Sequence, residues 1–169
     1  MSHVGAVILA AGAGSRFSGG THKLRADLAG RSVLEHSIEA VLGAGYDEVF
    51  VVIGQDDFAD LLPDTVTTVP SPNWSAGQAH SVRAGIAAAR LASFDAVVIA
   101  PGDQPLIGTA TWTAMRTADA TPWAVATYGE KRRPPTRIAA SVWGSIPQDG
   151  DRGALAVLEP AADIVTPGP

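Results

Sequence analysis

The sequence predicts a layered α/β fold built around a mostly parallel sheet. Short apolar runs (Val4–Leu9, Val49–Ile53, Ala96–Ala100) alternate with longer stretches of helical periodicity. Unbroken apolar runs suit strands buried on both faces, and strand–helix–strand alternation builds parallel units with helices packed on the sheet. The two stretches with the most unusual chemistry, Ala10–Lys23 and Pro101–Pro105, each follow such a run. Both therefore fall at the C-terminal edge of the sheet, where folds of this class bind ligands.

In chain order, Val4–Leu9 is the first strand. Ser32 and Glu35 stand three apart as a capping box and start a helix with Val33, Leu34, Ile38, Val41 and Leu42 facing inward. Gly43 or Gly45 ends it. Val49–Ile53 is the second strand. Asp56–Leu62 reads as a short helix stopped by Pro63, and Val66–Val69 as a third strand. Ser75 and Gln78 form a second capping box, opening a helix that runs to about Arg90. Ala96–Ala100 is the next strand and Thr109–Asp119 the next helix. Ala124–Thr127 and Thr136–Ala140 read as later strands, Ser141–Ile146 and Arg152–Leu158 as short helices, and Ile164–Val165 as a final strand.

With 169 residues, one domain over 1–169 is the simplest organisation. Such a chain buries roughly 70% of its unfolded surface, enough for a core without staples. The net charge of −5 argues against a nucleic-acid partner, which requires a basic face. With no cysteine there is no disulfide, thiolate metal site or cysteine nucleophile. The first apolar run is too short for a signal peptide and lacks a basic start, and no run reaches the ~20 apolar residues of a membrane span. The expected location is the cytoplasm, away from membranes.

The first loop carries the strongest signal. Leu9-Ala10-Ala11-Gly12-Ala13-Gly14-Ser15-Arg16-Phe17 follows the opening strand, and Lys23 comes shortly after. Small residues at a strand's C-terminal end leave backbone N–H groups bare, and Arg16 and Lys23 add positive charge, which together make an anion seat. Gly12 and Gly14 alone would serve a tight turn. Two cations crowded beside that turn repel each other unless an anion neutralises them. The loop misses two familiar phosphate patterns. Phe17 stands at the third glycine of the dinucleotide fingerprint, and Gly20 stands where a Walker-type loop needs its lysine.

Leu9-Ala10-Ala11-Gly12-Ala13-Gly14-Ser15-Arg16-Phe17 followed by Lys23-Leu24 resembles the signature loop of nucleotidyltransferases. The nearest branch is the molybdopterin cytidylyltransferase and guanylyltransferase group, and the pair Ala10-Ala11 resembles its cytidylyl members. Leu28-Ala29-Gly30-Arg31-Ser32-Val33-Leu34-Glu35-His36 is similar to the family's run into its first helix. The resemblance implies a three-layer, Rossmann-like nucleotidyltransferase fold. In it, Leu9, Ala10, Ala11, Gly12, Gly14, Ser15, Arg16 and Lys23 would hold a nucleoside triphosphate.

Asp103 follows a buried strand through Pro101 and Gly102. A carboxylate there suits Mg²⁺, which binds one or two carboxylates together with phosphate oxygens and water; it equally suits a Pro-Gly-Asp turn. Gly102-Asp103-Gln104-Pro105 resembles the family's metal-binding element. Gly77 and Ser81 resemble its Gly-x-x-x-Ser element beside base and ribose. Gly150-Asp151-Arg152-Gly153-Ala154 resembles its Gly-Asp-x-Gly-Ala, which would add Asp151 near the metal, although Asp151 also suits a helix cap. His3, His22, His36 and His80 lack metal spacing and read as surface or packing residues. The chain departs from the family at Arg133-Pro134-Pro135, where the family's acceptor element carries a glycine, a polar residue and a proline. The basic run Lys131-Arg132-Arg133 reads either as a solvated loop or as a hold for an anionic acceptor.

The resemblance implies transfer of a nucleoside monophosphate, CMP from CTP, to a phosphate-bearing acceptor such as molybdopterin, with Arg16, Lys23 and Asp103 as the catalytic set, Mg²⁺ as cofactor and a molybdoenzyme as downstream partner. Placement and charge neutralisation would supply the catalysis. The alternative is an NAD(P)H-dependent oxidoreductase, like family-related reductases of a nicotine-derived blue pigment.

Overall fold

The structure is a computed structural model describing residues 2–13, 21–119 and 122–151, together with the backbone of 162–165. Among the described residues nine strands form in chain order: β1 (Val4–Ala10), β2 (Asp27–Leu28), β3 (Arg31–Ser32), β4 (Glu48–Ile53), β5 (Thr67–Pro70), β6 (Ala96–Pro101), β7 (Trp123–Tyr128), β8 (Lys131–Ala139) and β9 (Ala162–Val165). Among the same residues the α-helices are α1 (Val33–Leu42), α2 (Gln78–Leu91) and α3 (Thr109–Thr117). Seven strands make one sheet in the order β5-β4-β1-β6-β8-β7-β9, and β2 and β3 make a small hairpin. Six of the seven run the same way; β8 alone is antiparallel to its neighbours β6 and β7. The fold is the three-layer α/β architecture with a mostly parallel central sheet that the sequence leads one to expect.

The central strands bury both faces. Ala6, Ile8, Val51 and Val98 pack under α1 and α3, against Leu34, Ile38, Trp112 and Met115. Val7, Phe50, Val52 and Val97 pack on the other side against Val82, Ile86 and Ala89 of α2 and against Trp143. Strand alternation sends neighbouring side chains to opposite faces, so the unbroken apolar runs fill both core layers. Fully burying one such Val or Ile side chain stabilises by about 1.5–3 kcal/mol. The α1 start is the expected capping box. The Ser32 N–H donates to Glu35 Oε2 at 2.8 Å, and the Glu35 N–H donates to Ser32 Oγ at 3.2 Å. The Ser32 backbone N–H first, and the Ser32 side chain after it, hold the Glu35 carboxyl below the usual carboxylate range.

Three local expectations change. Residues 56–62 form turns rather than a helix. There Asp57 Oδ1 accepts from the Ala59 N–H at 2.9 Å, the Leu61 N–H donates to the Phe58 carbonyl, and the Phe58 side chain is fully buried. Burying Phe58 outweighs the helical pattern around it. The Ser75–Gln78 capping box does not form either. Trp74–Ala76 is a separate turn of 3₁₀ helix, and α2 begins after Gly77 with no side-chain cap. The Gly150 carbonyl instead accepts from the Ala79 N–H at 3.0 Å, so main chain from far along the sequence caps the helix. Finally, Lys131–Arg133 belong to strand β8 instead of a loop. The β7–β8 ladder shifts register between Val125 and Ala126, which face Thr136 and Arg133, and this lifts Pro134 and Pro135 out of the pairing. Two residues without an N–H are accommodated at such a bulge. The expected helix at Arg152–Leu158 lies outside the described residues. Among those described, no helix is long and apolar enough to cross a membrane.

Candidate functional site

The site begins with a register. β1 and β6 lie side by side with Leu9 opposite Pro101, and the Gly102 N–H donates to the Leu9 carbonyl at 2.8 Å. The chain therefore leaves both strands at one point on the sheet edge, into a cleft of about 450 Å³. Leu9, Ala10, Ala11, Gly12, Lys23, Gly77, Ser81, Asp103 and Asp151 all line that cleft. These residues come from five separate segments of the chain. Gly14, Ser15 and Arg16 lie outside the described residues.

Two glycines let backbone come this close. A Cβ on Gly54, just past β4, would sit 2.3 Å from the Ala11 carbonyl oxygen and 2.7 Å from the Trp74 ring. Only glycine lets the Trp74 turn press against the strand edge there. Gly77 has φ +131°, and a Cβ on it would meet the Gly150 carbonyl oxygen at 2.7 Å. Its absent side chain brings the 150–151 segment down onto the start of α2, which carries Asp151 to the cleft. His80 Nε2 and Asp149 Oδ1, 3.1 Å apart, hold the same junction. Ser81 is buried, its hydroxyl 3.4 Å from that of Ser71.

Lys23 and Asp103 meet directly, with Nζ donating to Oδ2 at 2.5 Å. Both side chains remain about a third exposed, at 40% and 32%, so the pair faces the cleft and is not sealed in the core. The segment bearing Lys23 is anchored from behind. The Arg25 guanidinium forks onto both Asp60 oxygens at 2.8 Å, donates to the Asp57 carbonyl at 2.7 Å, and lies over the Phe58 ring. The pairing raises the Arg25 pKa and lowers that of Asp60, as a bidentate ion pair requires.

His22, read from sequence as a surface or packing residue, is tucked against this cleft with its side chain 8% exposed. Trp74, Gln78 and Gln104 also line the cleft. No spacing pattern marked the four as a group, because they arrive from three stretches of the chain, at 22, 74–78 and 104.

A second, largely apolar groove of about 320 Å³ adjoins the first and shares Asp103 and Gln104 with it. Its walls are Pro105, Leu106, Ile107, Tyr128 and Pro134, with Arg133 as the cation. The Tyr128 hydroxyl donates to the Pro134 carbonyl at 3.0 Å, which fixes the ring beside the bulge.

The donor chemistry fits a hard divalent cation. Asp103 and Asp151 offer two carboxylates to one cleft. Among the described residues no three His, Cys, Asp or Glu side chains gather closely enough to hold a metal by themselves. A cation here would take its remaining oxygens from a bound ligand and water.

A family model described as the MobA-like NTP transferase domain matches residues 6–164. The chain belongs to the MobA-like NTP transferase family. Among MobA-like and related proteins, it is 31% identical to the bifunctional protein GlmU of Mycolicibacterium vanbaalenii, over 95% of this chain and 34% of that protein. It is 38% identical to GlmU of Mycolicibacterium gilvum over 66% of this chain and 24% of that protein, so it spans a quarter to a third of these relatives. The crystal structure of Rv0371c from Mycobacterium tuberculosis superposes with a TM-score of 0.83 at 25% identity, covering 97% of this chain and 88% of that one. A nucleotidyl transferase from Methanothermobacter superposes at 0.80 and 27% identity, covering 96% and 87%. A manganese complex of Rv0371c, at 22% identity, shares the fold with a TM-score of 0.79 and coverage of 97% and 88%.

Proposed function

We propose that this MobA-like protein is a nucleotidyltransferase that moves CMP from CTP to a phosphate-bearing small acceptor of the molybdopterin kind, with release of pyrophosphate. The observation that carries this reading is the convergence of Leu9–Gly12, Lys23, Asp103, Gly77, Ser81 and Asp151 on one cleft. The family match supports the reaction class. The pair Ala10-Ala11 supports cytidine over guanosine. The reading takes 1–169 as one catalytic unit acting in the cytoplasm, its product handed on to a molybdoenzyme.

An acceptor phosphate oxygen bonds to the α-phosphorus as the bond from that phosphorus to the bridging oxygen of the β-phosphate breaks. The electron pair leaves with pyrophosphate. The acceptor phosphate is ionised near neutral pH, so no side chain has to remove a proton. Backbone N–H groups of the first loop, with Ser15 and Arg16, hold the triphosphate. Lys23 places its charge where negative charge builds in the transition state. Asp103 and Asp151 would hold a divalent cation, Mg²⁺ in this reading, which would supply charge neutralisation at the phosphates. Gly77 and Ser81 line the base and ribose side, and the apolar groove with Arg133 receives the acceptor.

The test is a thermal-shift panel of CTP, GTP, ATP and NADPH, each with and without Mg²⁺, followed by a pyrophosphate-release assay. A ligand that binds the folded form raises the melting temperature. The expected result is a metal-dependent shift that is largest for CTP. A shift with NADPH alone would favour the reductase alternative and overturn the transferase reading.

A further inference from the structure

We infer that His22 is a positioning residue for the nucleotide. This rests on the transferase reading above. The imidazole bridges two stretches that line the cleft, one just past β1 at Gly12 and one bearing Lys23 and Leu24. Its Nδ1 lies 3.1 Å from the Leu24 backbone nitrogen, and its Nε2 lies 2.7 Å from the Gly12 carbonyl oxygen.

The Leu24 N–H can only donate, so Nδ1 is the acceptor. Nε2 then carries the proton and donates it to Gly12, since a carbonyl can only accept. The Asp56 carboxylate, 3.6 Å from Nε2, favours a proton on the same nitrogen. The edge of the ring packs on Phe58, with centroids 5.2 Å apart. One neutral tautomer is thus fixed by three neighbours, and the ring cannot turn without losing both bonds.

The two bonds do different work. The Nδ1 bond caps the short 3₁₀ turn Lys23–Arg25 and serves local structure. The Nε2 bond joins the exit of β1 to the segment bearing Lys23. It fixes the Gly12–Ala13 peptide plane, and with it the direction of the Ala13 N–H, because a trans peptide points its C=O and N–H oppositely. A backbone N–H whose direction is already set needs less ordering when a ligand binds. The inferred consequence is tighter nucleotide binding.

Substitution can separate the two bonds. In His22→Asn the side-chain carbonyl oxygen stands the same number of bonds from Cβ as Nδ1 and keeps the cap. In His22→Gln the side-chain amide nitrogen stands as far from Cβ as Nε2 and keeps the donor to Gly12. CTP–Mg²⁺ binding by calorimetry, KM and kcat from pyrophosphate release, and melting temperature would be measured for both variants and the wild type. His22→Asn is expected to melt close to wild type yet bind CTP–Mg²⁺ about tenfold more weakly, with KM rising more than kcat falls. His22→Gln is expected to melt lower while keeping its affinity within about twofold. Wild-type affinity in His22→Asn, or affinity that simply follows melting temperature in both variants, overturns the inference while leaving the transferase reading intact. A wild-type protein that binds no nucleoside triphosphate overturns both.

Discussion

Lys23 shows how much a single contact can mean for chemistry and how little for folding. Its bond to Asp103 is short but partly exposed, and exposed ion pairs contribute at most about 1 kcal/mol. Lys23→Ala should therefore leave the thermal melt nearly unchanged while lowering pyrophosphate release by about 10²-fold or more. Equal losses in stability and turnover would count against a catalytic role. The same pair implies a second result. A cation brought to Asp103 must approach the lysine ammonium, and like charges a few ångströms apart repel. Lys23→Met, tested without nucleotide, should tighten Mn²⁺ binding as measured by electron paramagnetic resonance, whereas Asp103→Asn should weaken it. Asp103 and Lys23 were both legible as candidates in the sequence, each by its place after a strand or glycine loop. Their direct contact was not, because 79 intervening residues separate them and only the β1–β6 register brings them together.

At the scale of elements, caps and close approaches decide the geometry. The α1 cap was readable because its two partners lie three apart in sequence. Ser32→Ala should destabilise by about 1 kcal/mol, checked by chemical denaturation. Glu35 gives this cap a pH dependence. Its carboxyl titrates lower in the folded protein than in the unfolded chain. Its contribution is therefore complete above the ordinary glutamate range and disappears as pH falls through the lowered folded value. Glu35→Gln should abolish that part of the acid sensitivity in melts run from neutral pH downward. The α2 cap was not readable, since its acceptor, the Gly150 carbonyl, lies far along the chain. The turns at 56–62 escaped for a similar reason: Phe58 is held by tertiary packing, which local periodicity does not record. Gly54→Ala should cost about 1–3 kcal/mol through overpacking against Trp74 and the Ala11 carbonyl. It should also weaken nucleotide binding, a pairing of effects that combined melting and titration would reveal.

For the molecule as a whole, the alternation of apolar runs and amphipathic segments was enough to read the class of fold, because buried parallel strands have few other sequence solutions. The reversed strand β8 was not foreseen as part of a hairpin, since Lys131–Arg133 and two prolines argue locally for a loop. Saturating CTP–Mg²⁺ at about a hundred times its Kd should raise apparent stability by about 2.7 kcal/mol, and the gain should vanish when EDTA removes the metal. That reversed strand has an evolutionary consequence. Because β7 climbs and β8 descends, their connecting turn at Gly129–Glu130 joins two walls of the apolar groove, Tyr128 and Arg133–Pro134, and is attached to the sheet by one hairpin. The cleft holding Lys23 and Asp103 is welded to the parallel core by register and by two obligatory glycines. Lengthening or trimming the turn would reshape what is accepted on one side while the other stays constant, so substrate range is free to diverge faster than the reaction.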